Sequence, residues 1–370
     1  WMSIQNTSRD LFTLLRWLGP WADEDKTPSG IERHEEFHPV PGSNQKVKTW
    51  TYIDKSRAPK GAYLIGPGLH FKGAEHEGLD RFARILAKAG NLIMSPFVED
   101  FSNMHIQPNT HVPFLGAFDA LLEHRLLPPG IKPGVFSISF GSWLAMKLAT
   151  CPVRNSRLGA SVVFGGYGNF QEAVDFAISG ELNGERYTHH DPRNVPAIFM
   201  HIADTFDVDA ATLRQAWLKY MRQTWQIDTM KSAEACHRKA KSLALELPIE
   251  FRDVFLEGCG ALPGAQARVR ASLADKKFDY LDTRSDFHAI QCPVFIMHGT
   301  DDDVIPYTQL ESLSRELPLH VEQETYLTGL YGHSSQDGQA RTALVNAAFR
   351  ELTTMVRMLK AIHRGGRMSI

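Results

Sequence analysis

Apolar and polar positions alternate along this 370-residue chain with three different rhythms. Residues 9–18, Arg-Asp-Leu-Phe-Thr-Leu-Leu-Arg-Trp-Leu, have helical spacing and stop at Gly19-Pro20. Two strand-like runs follow at 33–40 and 46–54, separated by Pro41-Gly42-Ser43-Asn44, which predicts a hairpin at an antiparallel sheet edge. Strands and helices then alternate. Strands are predicted at 62–65, 91–97, 134–138 and 160–165; helices are predicted around Leu79, Phe82 and Leu86, over 113–127 and up to Thr150. This alternation implies a largely parallel α/β sheet.

From about 169 to 289 the second rhythm sets in, with helical patterns around 173–178, 211–226, 232–245 and 265–273 and no strand of similar quality. The strand–helix rhythm returns at Pro293-Val-Phe-Ile-Met-His-Gly, with a helix near 308–317 and a strand at 320–327. A last helix over 339–363 would bury Val345, Phe349, Leu352, Val356 and Leu359 as one stripe. The expected organisation is a helical extension over 1–32, a core in two parts at 33–168 and 290–370, and a helical cap inserted at 169–289.

Composition narrows the class. With 43% hydrophobic and 22% charged residues and a formal net charge of -2, the chain shows no general pull toward nucleic acid or anionic lipid. No basic-then-apolar leader opens it and no run approaches a membrane-spanning length, so a cytoplasmic protein is expected. The four cysteines, Cys151, Cys236, Cys259 and Cys292, show no paired spacing and fit a reducing compartment.

Candidate chemistry lies in four stretches. Gly134-Val-Phe-Ser-Ile-Ser-Phe-Gly141 runs from a strand into a helix, and a serine centred between Ser137 and Gly141 can sit on a sharp turn with its hydroxyl projecting. That serine is Ser139; Ser137 stands where the usual pattern has glycine. Ile65-Gly-Pro-Gly-Leu-His-Phe-Lys-Gly73 forms a glycine-containing loop that can bring a backbone N–H beside it, Leu69 first and His70 second, while Phe140 offers another. In His298-Gly-Thr-Asp-Asp-Asp-Val-Ile-Pro306 a carboxylate could orient a histidine; spacing favours Asp302, with Asp303 and Asp301 behind it. His333, in Gly332-His-Ser-Ser335, could serve as general base.

Together these stretches resemble the α/β-hydrolase superfamily over about 33–168 and 290–370, because Ser139, Asp302 and His333 occur in the order in which that family carries nucleophile, acid and histidine after its fifth, seventh and eighth strands. The resemblance implies a serine esterase or lipase-like enzyme with an acyl-enzyme intermediate, an oxyanion hole from Leu69 and Phe140, and a small acyl ester as substrate. It implies no metal or organic cofactor. Thioesterase, acyltransferase, amidase and carbon–carbon bond hydrolase use the same fold, and a silent binding protein is the rival from another class. Weaker candidates are a metal cluster of His189, His190, Asp191, His201 and Asp204, and a cleft role for Glu99 or Asp100. The aromatic residues Trp217, Tyr220 and Trp225 belong either to a substrate pocket or to the core of the cap.

Overall fold

The computed structural model describes residues 2–187, 190–329 and 341–370. Eight strands make one sheet: β1 (Ile31–Pro39), β2 (Lys46–Asp54), β3 (Gly61–Gly66), β4 (Asn91–Pro96), β5 (Gly134–Ile138), β6 (Ser161–Phe164), β7 (Val294–Gly299) and β8 (Gln323–Thr328). Their order is β1-β2-β4-β3-β5-β6-β7-β8. β1 pairs antiparallel with β2, and β2 antiparallel with β4; every later pair is parallel. The hairpin edge and the parallel body are both as expected.

Strands buried on both faces must be apolar at consecutive positions, and their side chains alternate between two cores. Ala62 and Leu64 of β3, Met94 of β4 and Val294 and Ile296 of β7 face one side. There they meet Phe114 and Phe118 of α3 (His111–Glu123) and Leu144 and Leu148 of α4 (Gly141–Ala149). Tyr63, Ile65, Ile93, Phe295 and Met297 face the other side. That side is covered by Leu14 of α1 (Met2–Leu18), Ala83 and Leu86 of α2 (Glu77–Lys88), and Met355, Leu359 and Ile362 of the final helix, Arg341–Gly365. The final helix corrects the expected stripe: Leu352 is 38% exposed, and Met355, Met358 and Ile362 do the packing instead. Val345 and Phe349 lie among residues whose side chains are outside the described set.

Between β6 and β7 the chain forms six helices: α5 (Phe170–Ser179), α6 (Val195–Ile202), α7 (Ala210–Thr224), α8 (Ala233–Ala244), α9 (Ile249–Gly258) and α10 (Ala265–Ala274). Two were not foreseen. α6 buries Val195, Pro196, Ile198, Phe199, Met200 and Ile202, leaving almost no polar face to set a helical period. α9 carries only Phe251, Phe255 and Gly258 as buried positions. Among the described residues no helix is long and apolar enough to cross a membrane.

One buried carboxylate anchors α1. Asp10 is fully buried and accepts hydrogen bonds from Arg57 and, at 2.9 Å, from Arg367. Arg57 also donates to the Lys88 carbonyl and Arg367, at 2.8 Å, to that of Ala89, so α1, the end of α2 and the C-terminal segment share one network. Removing one member of a buried ion pair leaves the other charge stranded, at about 3–5 kcal/mol. Asp10→Ala is expected to lower the unfolding free energy by about 3 kcal/mol in urea titrations. A loss under about 1 kcal/mol would mean the network does not anchor α1.

Candidate active site

The chain must turn from β5 into α4 between Ile138 and Gly141. Ser139 makes that turn with φ of 53°, in the left-handed region where a residue with a Cβ is strained by about 1–3 kcal/mol. Its N–H donates to the Phe164 carbonyl at 2.8 Å, and its own carbonyl accepts from Ser142 at 3.0 Å, so neighbouring structure holds the strained residue on both sides. Gly141 permits the close approach: a Cβ there would lie 2.4 Å from the Pro67 carbonyl oxygen and 2.7 Å from that of Gly66. Ser137 is fully buried and donates to the Val162 carbonyl at 3.3 Å; it fills the small-residue position and does not border the cavity described below.

The loop after β3 passes directly over the turn. A Cβ on Gly68 would be 3.7 Å from the Ser139 Cβ, and Leu69 and Phe140 border the same cavity as Ser139. Among the described residues neither the Leu69 nor the Phe140 amide has an acceptor. Next to Leu69, His70 accepts the Lys72 N–H on Nδ1 at 3.1 Å, and burial pushes its pKa down to about 4, so the neutral ring carries its proton on Nε2.

The three adjacent aspartates take three different positions. Asp302 Oδ1 accepts from the Val304 and Ile305 amides at 3.0 and 2.9 Å. Its Oδ2 lies 3.4 Å from His298 Nε2 and 3.0 Å from where a Gly165 Cβ would stand, at the carboxyl end of β6. Phe164 is in register with both Ile138 and Met297, so the turn carrying Asp302 follows the strand two places from that of Ser139, across β6, along the same sheet edge. Asp303 borders the cavity. Asp301 stays beside Gly299, its Oδ1 3.1 Å from where a Cβ there would be. His333 lies outside the described residues; β8 ends with the Thr328 carbonyl accepting from Thr300 at 2.9 Å, beside the aspartate turn.

Ser139, Leu69 and Phe140 therefore meet at one cavity of about 530 Å³, enclosed between the sheet edge and the helical insertion. Ile138 forms part of its floor, and Val174, Ile198, Trp225 and Phe278 line the insertion side. Its polar corner is Asp191, which the sequence offered as a metal ligand, and Arg193, which the sequence reading did not select: the guanidinium forks onto the carboxylate through Nε at 2.8 Å and Nη2 at 2.5 Å. The aromatic residues of the insertion divide between two roles. Trp217 and Tyr220 are fully buried core, whereas Trp225 lines the cavity and donates to the Arg193 carbonyl at 2.9 Å. Trp143 donates to the Tyr280 carbonyl at 2.9 Å and Tyr167 to that of Leu281 at 2.8 Å, pinning the returning chain of the insertion to the core.

The weaker candidates have other engagements. His190 bonds the Ala177 carbonyl; His201 accepts from Ile106 and donates to Ala197, with its pKa pushed down to about 3 by burial; Asp204 pairs with Arg214. Among the described residues no group of three His, Cys, Asp or Glu side chains could hold a metal ion, and His189 lies outside them. Asp100 accepts from the Thr110 hydroxyl, and Glu99 is exposed.

The strand order, the strained serine between the fifth strand and its helix, and the helical insertion after the sixth strand define the α/β-hydrolase fold. No protein-family model and no curated protein matches the sequence. Among solved structures, an esterase of Pyrococcus furiosus aligns at 11% identity and TM-score 0.44, over 89% of this chain and 91% of that one. Pyrococcus horikoshii acylaminoacyl peptidase aligns at 10% identity and TM-score 0.46 over 92% of this chain, which spans 43% of the peptidase. A 2,6-dihydroxy-pseudo-oxynicotine hydrolase aligns at 15% identity and TM-score 0.43, over 92% and 70% of the two chains.

The backbone contact under the turn can be tested separately from any activity. Gly141→Ala places a methyl against two carbonyl groups that have no side chain to swing aside, and is expected to destabilise the fold by about 1–3 kcal/mol in chemical denaturation. Unchanged stability would show that the loop after β3 gives way.

Proposed function

We propose that this chain is a serine hydrolase of carboxylic esters, with Ser139 as nucleophile, His333 as general base, Asp302 as the acid that orients the histidine, and the Leu69 and Phe140 amides as the oxyanion hole. The observation that carries the reading is Ser139 held at φ of 53° at the head of α4, on the wall of a cavity that two acceptor-free amides also border. Strain of this kind persists only where the surrounding structure imposes it, and here it lifts a hydroxyl toward a largely apolar cavity.

In the proposed reaction His333 accepts the Ser139 proton as the oxygen attacks the ester carbonyl, and the two amides hold the negative charge that develops on the carbonyl oxygen. The histidine then protonates the departing alkoxide. Water, deprotonated by the same histidine, attacks the acyl-serine, and the serine leaves with the proton restored. Asp302 suits its role because two amides fix Oδ1 and leave Oδ2 for another partner. The insertion over 169–289 serves in this reading as the cap that shapes the acyl or alcohol pocket.

The test uses a fluorophosphonate probe together with p-nitrophenyl esters of increasing acyl length. Wild type is expected to label and to hydrolyse the esters, while Ser139→Ala and His333→Ala lose about 10⁴-fold or more in kcat and Asp302→Asn about 10²- to 10⁴-fold. Labelling that survives in Ser139→Ala would remove the nucleophile assignment. A wild type that neither labels nor hydrolyses would favour a binding role.

A further inference from the structure

The wall of the cavity contains one carboxylate that neither the fold nor the proposed reaction employs. Asp303 is half-buried, and its backbone is fastened: the carbonyl accepts from the Asp191 amide at 3.3 Å and from Asn194 Nδ2 at 3.5 Å. Among the described residues its carboxylate accepts from its own amide and from no side chain. The neighbouring acids are both engaged: Asp191 is forked by Arg193, and Asp302 is fixed by two amides. Asp191, Arg193 and Asn194 line the cavity beside it, while Val304, Ile198 and Val174 add apolar wall to the same cavity.

A carboxylate taken from water into such a wall without a partner is unfavourable, and the deficit is relieved by whatever brings a donor with a positive charge. Arg193 is directed elsewhere: its Nε and Nη2 donate to Asp191 and its Nη1 to the Thr224 carbonyl at 3.2 Å, so among the described residues it acts on Asp303 through its charge and not through a hydrogen bond. We infer that Asp303 is a specificity residue of this cavity and that the molecule bound there is apolar with a protonated amine, whose ammonium pairs with the Asp303 carboxylate. For the hydrolase the substrate class becomes amino-bearing esters with an apolar body; that identification of the ligand as a substrate rests on the reading of Ser139 given above.

Burial, with Asp191 and then Asp302 adding repulsion, raises the Asp303 pKa to about 6, against the lowering influence of its own amide and of Arg193. The carboxyl is therefore charged above pH 6 and neutral well below it, whereas an alkylammonium stays charged throughout. Preference for the amine should accordingly be present at pH 7.5 and fade as the pH falls through 6.

The inference is tested by calorimetric titration of full-length Ser139→Ala protein with hexylamine and, as a neutral counterpart, 1-hexanol. Hexylamine is expected to bind about tenfold or more tightly than hexanol at pH 7.5, with the margin shrinking to about twofold at pH 5 and in Ser139→Ala/Asp303→Asn. Asp303→Glu in the same background should keep part of the preference, and thermal melts establish that each variant is folded. Equal affinities at pH 7.5, a preference that survives Asp303→Asn, or no binding of either probe would overturn the inference. Because binding is read without the Ser139 hydroxyl, a failure of the hydrolase reading leaves this outcome unaltered. With Ser139 present, the kcat/KM ratio of p-nitrophenyl 6-aminohexanoate to p-nitrophenyl heptanoate is expected to fall about tenfold in Asp303→Asn; an unmoved ratio would remove the substrate class while leaving the ammonium site to the binding result.

Discussion

The close backbone contact between the start of α4 and the loop after β3 is the constraint on which the site depends. Gly141 approaches the Gly66 and Pro67 carbonyls so nearly that not even a methyl group fits between them. With α4 seated there and β5 fixed in the sheet by its register with β3 and β6, only Ser139 and Phe140 are left to join strand to helix, and Ser139 takes the left-handed region. The strain at Ser139 is thus a consequence of packing elsewhere. The sheet supplies the binding energy that holds it, since both faces of the central strands are buried against helices and relaxing the turn would mean shifting that packing.

The same edge of the sheet gathers the remaining groups because parallel strands deliver every following loop to one side. Register does the alignment: Ile138, Phe164 and Met297 lie side by side, so the residues that follow each strand emerge level with one another. The insertion then closes the edge from above, and it is tied down through hydrogen bonds from Trp143 and Tyr167 rather than through apolar contact alone. A further bond, Gln226 Nε2 to His76 Nε2 at 2.6 Å, joins the insertion to the loop after β3 near the cavity wall. The cavity is a product of the interface between core and insertion, and its shape depends on both.

Much of the fold was legible because its signals are local. The turn residues Pro41–Asn44, the runs at 62–65 and 134–138, and the return at 293–299 each identify an element without reference to distant residues, and the fold class followed from the resemblance that Ser139, Asp302 and His333 carried together. The failures have a common physical cause. α6 packs on nearly all sides, so no polar face marks its period, and the final helix buries a face rotated from the expected one because Met355 and Met358, which a search for branched and aromatic residues passes over, fill the space against β7 and α1. Arg193 and the place of Asp191 on the cavity wall were missed, and Trp225 could not be told from Trp217 and Tyr220, because they lie far from Ser139 in sequence and are joined to it only through the tertiary fold. His333 lies outside the described residues, and its proposed role rests on its order in the chain.

The run of aspartates at 301–303 shows most directly how geometry separates residues that composition treats alike. Three consecutive carboxylates would repel one another if they shared one environment. The turn after β7 prevents this by using Asp302 as its own hydrogen-bonding element: Oδ1 accepts two amides, which fixes the side chain toward Gly165 and the sheet edge, while the residues on either side are directed elsewhere. A carboxylate held by two N–H groups keeps its direction, which is what orienting a histidine requires. Asp303, the next residue, borders the cavity and has its backbone carbonyl held by Asp191 and Asn194, and among the described residues no side chain donates to its carboxylate. One residue of offset in a tight turn is therefore enough to divide the carboxylate proposed to orient the histidine from the one proposed to meet the ligand, and the spacing that favoured Asp302 in the sequence matches this turn.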